Sequence, residues 1–379
     1  MVEPGAERSR PHPAGRPGAV AFVVVALAGG AFAVLAWIAG GGFPEAAAGA
    51  RRTGARVVDA APPPPLPIPI ANNAVAAVET ADGWALFSFL GIDGTRRREG
   101  ITTAAFRWTV GSEGWRRIGS VPGEGRLAAT AQAVGGLIYL FGGYTVAEDR
   151  TERSLPDVLV YHPDQDFWTP AAPMPTPVDD AVSGVWRDSL IYLVSGWHDT
   201  ENVSTVQVYD PATDEWRQAT PIPGPPVFGH AGGITGDAIV YVDGARVDRD
   251  PRRFALEASS WLGQIDPAEP TRIAWRGLPD HPGPGLYRAA ALGAERFVLF
   301  AGGTDNPYNY DGNGYDGVPA EPRDGVFAWD VGSSMWRELG PLPLPTMDHR
   351  GLVEAAGRVY AIGGMGVGRA VTDRSVIVR

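Results

Sequence analysis

A chain of 379 residues with a net charge of −11 and no long like-charge run offers no electrostatic footprint for nucleic acid. It contains no cysteine, which excludes disulfides, thiolate nucleophiles and cysteine metal ligands. All 32 basic residues are arginine, which excludes Schiff-base chemistry and a Walker-type phosphate lysine.

In chain order, Arg8, Arg10 and Arg16 precede an uncharged run over residues 18–40, "GAVAFVVVALAGGAFAVLAWIAG". As a helix it would reach about 30 Å, the depth of a bilayer core. The arginines place residues 1–17 in the cytoplasm and everything after the span outside it. The alternative is a cleavable signal sequence, with small residues in "EAAAGA" at 45–50 offering the cleavage site. In either case the remainder is expected to be extracytoplasmic, periplasmic or at the cell surface, and in the first case held by its membrane helix. Residues 41–67 are rich in proline and alanine, and "APPPPLPIP" at 61–69 reads as a stiff extended spacer.

From residue 68 the chain repeats itself. Apolar runs ending in small residues recur as "ALFSFLG", "LIYLFGG", "LIYLVSG", "AIVYVDG", "FVLFAGG" and "VYAIGG", closing at Gly91, Gly143, Gly196, Gly244, Gly303 and Gly364. The period of about 50–60 residues is that of a repeat architecture. Each of the first five runs is followed by a second short strand and then by Trp115, Trp168, Trp216, Trp275 or Trp336. A proline turn and an alanine/glycine-rich strand come next. Four short strands cannot bury their faces alone, so the copies must pack side by side, and closing the ring protects the edges. The expected fold is all-β, six sheets in a ring over residues 68–379. The last repeat ends before its tryptophan, so residues 71–80, "ANNAVAAVET", are expected to pair with the C-terminal sheet. The six histidines (His12, His162, His198, His230, His281, His349) lie far apart and show no metal-ligand spacing.

Glycine pair, tyrosine-aspartate strand ("VYDP" at 208–211) and Trp216, in fixed order, resemble the kelch repeat, a four-stranded propeller blade. The resemblance implies a six-bladed kelch-type β-propeller in which the strand after each proline turn lines a central channel. The first residues of those strands would face the channel mouth: Asn72, Asn73, Arg126, Asp179, Asp180, Phe228, His230, Tyr287, Arg288 and the run from Asp348 to Arg350. Structural roles compete at each position. Arg126 could bond neighbouring carbonyls, Asp179 and Asp180 their own turn, and His230 a channel partner. Alternation lets at most two of Asp348, His349 and Arg350 share a face. No serine or cysteine accompanies them, so they are not a nucleophilic triad.

Four local features are similar to the exported N-acetylneuraminate mutarotases, a bacterial branch of the kelch proteins. They are "PIPIANN" before the first strand, the tyrosine-asparagine-glycine loop after the fifth glycine turn, "GGMGVGRAVTDRSVIV" at the end, and Arg126 opening the second blade. That resemblance implies anomer exchange of a sugar without cofactor or metal, one group protonating the ring oxygen while another takes the anomeric hydroxyl proton. Asp348 and His349 are then the candidate catalytic pair. Arg126, Asp179, His230, Tyr287, Arg288, Arg350, Tyr308, Asn309 and Tyr310 are the candidate sugar-binding residues, with Arg126 or Arg288 able to hold a carboxylate bidentately. The chain departs from the branch at Ala245, where the family carries an acidic residue; Asp243 and Asp248 are the nearby substitutes. The other reading is a non-catalytic propeller that binds a glycan or an exported protein partner. A copper radical oxidase of the galactose oxidase type is excluded, because its cross-linked tyrosine needs a cysteine.

Residues 306–317, "NPYNYDGNGYDG", fall between the second and third strands of the fifth repeat. Asn309, Asp311, Asn313 and Gly314 fit part of the calcium-loop spacing, but Ala320 stands where the closing glutamate belongs, so no metal is assigned. Loops this long are uncommon without a task. This one is expected to form a lip over the mouth, with Tyr308, Tyr310 and Tyr315 offered to sugar faces and Asn309 and Asp311 to hydroxyls.

Overall fold

The six apolar runs become the second strands of six antiparallel sheets, at Gly83–Phe89, Leu137–Phe141, Leu190–Val194, Ala238–Val242, Phe297–Ala301 and Arg358–Ile362. The computed structural model describes residues 62–249 and 252–379. The basic N-terminus (1–17), the anchor or signal segment (18–40) and the linker up to residue 61 lie outside the described residues. Among the described residues no helix is long and apolar enough to cross a membrane.

Each second strand is flanked by an inner strand, at Ala74–Thr80, Thr130–Val134, Val182–Trp186, Ala231–Thr235, Ala290–Ala294 and Val353–Ala355, and by a third strand further out. Five sheets carry a fourth, outermost strand; the sixth has three strands among the described residues. Inner strands are built of alanine, glycine and valine because they converge on one axis. At Gly293 an added Cβ would fall 1.8 Å from the Ile234 carbonyl oxygen of the preceding blade, so no side chain fits there. The glycine turns are equally crowded. Gly142 has φ of 51°, and its Cβ would stand 2.4 Å from the Val178 oxygen.

The recurring tryptophans join one blade to the one before it. Trp168 donates its indole N–H to Gly119 O (3.0 Å), Trp216 to Ala172 O (2.9 Å), Trp275 to Thr220 O (3.2 Å) and Trp336 to Pro279 O (2.8 Å). Each acceptor lies just past the fourth strand of the preceding blade. In blades two and three the tyrosine-aspartate pair repeats the link. Tyr161 donates to Asp166 and Tyr209 to Asp214, and those same carboxylate oxygens accept Gly119 N–H and Ala172 N–H.

The ring closes differently from the expectation. Ala74–Thr80 does not join the C-terminal sheet; it pairs with Gly83–Phe89 as the inner strand of blade one. Closure runs through the residues before it. Trp115 donates to Pro64 O at 2.9 Å, which puts Pro64 where the other blades have the residue following a fourth strand. Leu66 N–H bonds Asp373 O, Ile70 N–H bonds Thr372 O and Gly364 N–H bonds Ile70 O. Leu66 and Ile70 are buried with Tyr360 and Ile362 of blade six. The proline-rich stretch expected as a spacer is therefore packed against the propeller from Pro63 onward.

Candidate functional site at the loop-bearing end of the channel

Where each inner strand begins, one residue takes the left-handed conformation: Asn72 (φ 58°), Ala128 (56°), Asp180 (51°), Gly229 (62°), Arg288 (51°) and Asp348 (67°). Five of the six are not glycine, and such backbone costs about 1 kcal/mol or more unless its surroundings over-determine it. Here they do. Asp180 N–H bonds Ala128 O, Gly229 N–H bonds Asp180 O, Arg288 N–H bonds Gly229 O, His349 N–H bonds Arg288 O and Asn72 N–H bonds Asp348 O. The Asn72 side-chain oxygen completes the circle by accepting Ala128 N–H. Six separate segments thus meet in one hydrogen-bonded ring.

Charged side chains fill its centre. Arg288 of blade five grips Asp180 of blade three with Nε and Nη2 (3.2 and 2.6 Å) and donates Nη1–H to Asp348 of blade six (3.1 Å). The residue between them, Gly229, supplies the room; a Cβ there would lie 2.2 Å from the Tyr287 ring. Asn72 donates to Asp348 at 2.7 Å, and Arg350 reaches across the ring to Asp180. Tyr287 and Tyr308 place their rings 5.0 and 5.3 Å from the Arg288 guanidinium, a stacked cation–π pair.

The polar loop lies on top of this cluster. Tyr308 is wholly buried, edge-on to Tyr287, and Tyr315 packs on Phe254 of blade four. Arg96 of blade one donates to Asp311 O, and Arg369 of blade six to the Asn313 side chain. The stretch expected as a lip around an open mouth is a plug that closes it. Asn309 and Tyr310 remain half-exposed. The loop carboxylates are turned to their own turns, Asp311 to Asn313 and Asp316 to Val318 N–H and Asn306. Among the described residues no group of three or more His, Asp or Glu could hold one metal ion.

The candidate residues divide in this frame. Asp179, Tyr287, Arg288, Tyr308, Asp348 and Arg350 come together. Arg126 does not; it is buried under the second glycine turn, donating to Gly142 O and Pro122 O with Asp157 at 3.5 Å. His230 donates to Val194 O at 2.9 Å, and burial pushes it down to about 4. Asp348 and His349 diverge, as alternation requires. Asp348 enters the cluster while His349 bonds Thr346 Oγ1 at 2.7 Å, and burial likewise takes its imidazole to about 4.

One acidic pair was not anticipated. Burial raises the Asp179 carboxyl to about 7, against a 2.6 Å bond from Ser154 Oγ and with the Glu152 charge adding to the rise. Glu152 lies two residues before Ser154 on the Glu152–Ser154 strand, which pairs with Tyr144–Val146, and its charge acts on Asp179. It reaches the surface, yet enough of it is enclosed that burial raises its carboxyl too. Burial raises both carboxyls and each is within electrostatic reach of Arg288, so both are candidates for moving a proton on a small molecule. Nothing in "EDRTERS" marked Glu152 as a site residue; the short strand it shares with Ser154 brings it near Asp179.

The kelch motif model matches residues 125–175 and 187–223, blades two and three, where the tryptophan and tyrosine-aspartate links are complete. The chain is a six-bladed β-propeller that carries kelch motifs in blades two and three. A solved structure entitled "Structure of YjhT" superposes on 83% of this propeller chain and 96% of its own length, with a TM-score of 0.67 and 18% sequence identity. At that identity the likeness concerns the fold alone. No curated protein matches the sequence.

Proposed function

We propose that this kelch propeller is exported, tethered by residues 18–40, and binds a carbohydrate at the loop-bearing end of its channel. The observation that carries the reading is the meeting of two carboxyls and an arginine beneath an aromatic loop, at the point where segments of all six blades converge. Tyr310 and Asn309 offer a ring face and an amide to the sugar, and Glu152 is within electrostatic reach of Tyr310. Asp179 is 2% exposed, so anomer exchange would need the 306–317 loop to lift from the mouth. Asp179 in its protonated form would then give a proton to the ring oxygen and Glu152 would take the anomeric hydroxyl proton. Arg288, with the Nε, Nη1 and Nη2 donors all engaged inside the protein, is then a positioning residue that fixes Asp180 and Asp348, not a carboxylate ligand. Asp348 and His349, the sequence-based candidates for proton transfer, are committed to Arg288 and Asn72 and to Thr346 respectively.

Binding is tested by titrating the full chain with a panel of reducing sugars under ligand-observed NMR. Saturable binding weakened by Tyr310→Ala supports the reading, and no saturable binding by any sugar overturns it. The complete enclosure of Arg288 also favours a second reading, a scaffold whose centre is a structural clamp. Binding without anomer exchange would favour that one.

A further inference from the structure

Below the ring the channel is a separate compartment. It holds about 300 Å³ and is walled by the backbones and small side chains of the inner strands, with Gln132, Ser183, His230, His349 and Arg350 as polar lining and Glu354 exposed at its outer end. Trp84, Val185 and Ile234 also line it, so it opens toward the hairpins joining first and second strands, the face opposite the tyrosine loop. Its blind end is Arg350. That side chain is 5% exposed, and one terminal nitrogen, Nη1, is spent on Asp180 across the ring. The remaining edge, Nε and Nη2, makes no hydrogen bond within the protein.

Those two atoms form one side of the planar guanidinium, two parallel N–H groups at the spacing of a two-oxygen anion. Arg288 uses the same edge of its own guanidinium to hold Asp180. Burial lowers Arg350 only to about 10, so it is cationic at neutral pH. The charged and titratable groups around it are Tyr144, Asp179, whose carboxyl burial raises to about 7, and Asp180, already shared with Arg288. His230 and His349, which line the same channel, are neutral, and Glu354 is at the far opening. His230 Nδ1 is buried without a partner, and because Nε2 donates to Val194 it accepts, from a hydroxyl or a protonated oxygen.

We propose that the channel is a second binding site, for a small oxyanion held side-on by Nε and Nη2 of Arg350 and entering from the face opposite the tyrosine loop. Carboxylate, sulfate and phosphate share the required geometry. The full chain is titrated with acetate, sulfate and inorganic phosphate, each against sodium chloride of equal ionic strength, by calorimetry and thermal shift. The expected result is saturable binding of at least one of the three, about tenfold weaker in Arg350→Lys, which keeps the charge but not the fork, and absent in Arg350→Gln. Arg288 still pairs Asp180 in Arg350→Gln. If that variant does not fold, Arg350→Lys carries the test, since it retains a cation for Asp180. Equal affinity in wild type and Arg350→Lys, stabilisation no greater than that from chloride, or an anion found in a crystal away from Arg350 would overturn the proposal.

Discussion

The two ends of the channel are built from the same six strands and differ in nearly every physical respect. At the loop-bearing end Arg288, Asp179, Asp180, Asp348, Tyr287 and Tyr308 are buried beneath the loop; at the other end small side chains leave a lumen of about 300 Å³. The difference comes from one residue per blade. Where the left-handed position carries Asn72, Asp180, Arg288 and Asp348, side chains cross the axis and neutralise one another. Further along the inner strands, Val75, Ala131, Val182, Ala231 and Ala291 leave the channel open. A propeller thus needs its charge only at the position where six backbones already turn toward the centre.

The largest expected effect comes from removing the clamp. Arg288→Ala leaves Asp180 and Asp348 buried with half their partners, and is expected to cost about 3–5 kcal/mol in urea unfolding. Closely similar stability in the variant would mean that the plugged end is not held by its charges.

The two ends should also respond to pH with opposite signs. Asp179 has a raised carboxyl, so between about 4 and about 7 the folded chain holds a proton that the unfolded chain has released. Its contribution therefore falls as pH rises through that window, by up to about 4 kcal/mol, and Asp179→Asn is expected to remove the slope. His349 behaves in the opposite sense. It stays neutral in the fold down to about 4, while the unfolded imidazole takes a proton below about 6.5. Its contribution is lost as pH falls, by about 3 kcal/mol, and His349→Gln should flatten the acid limb of a urea midpoint-against-pH series. An Asp179→Asn variant with the wild-type pH slope would break the contrast. The smallest effect belongs to the open end. Gln132→Ala removes two bonds to Ser183, but water replaces them there, and a loss of about 1 kcal/mol or less is expected.

The sheets and their number were legible because each blade repeats an apolar run, a glycine turn and a tryptophan that must find an acceptor on its neighbour. The closure was not legible, since Pro64 and Leu66 sit in a proline run that looks like a linker. Only the Trp115 indole reveals that they take the place of a blade's outer turn. Arg126 looked like a channel residue because it opens an inner strand, but the side chain that faces the axis belongs to the left-handed residue two places later, Ala128. Tyr308 read as a sugar platform on composition alone. Its burial depends on how the loop crosses to Arg96 and Arg369, contacts between blades that no local pattern encodes.

The account turns on Asp179 and Glu152 forming a working pair at the plugged end. Magnetisation-exchange NMR of reducing-sugar anomers, with the full chain as wild type and as Asp179→Asn, measures this directly. The account predicts exchange above the buffer rate for at least one sugar in the wild type and its return to the buffer rate in the variant. Exchange at the buffer rate for every sugar, or exchange untouched by Asp179→Asn, would contradict it.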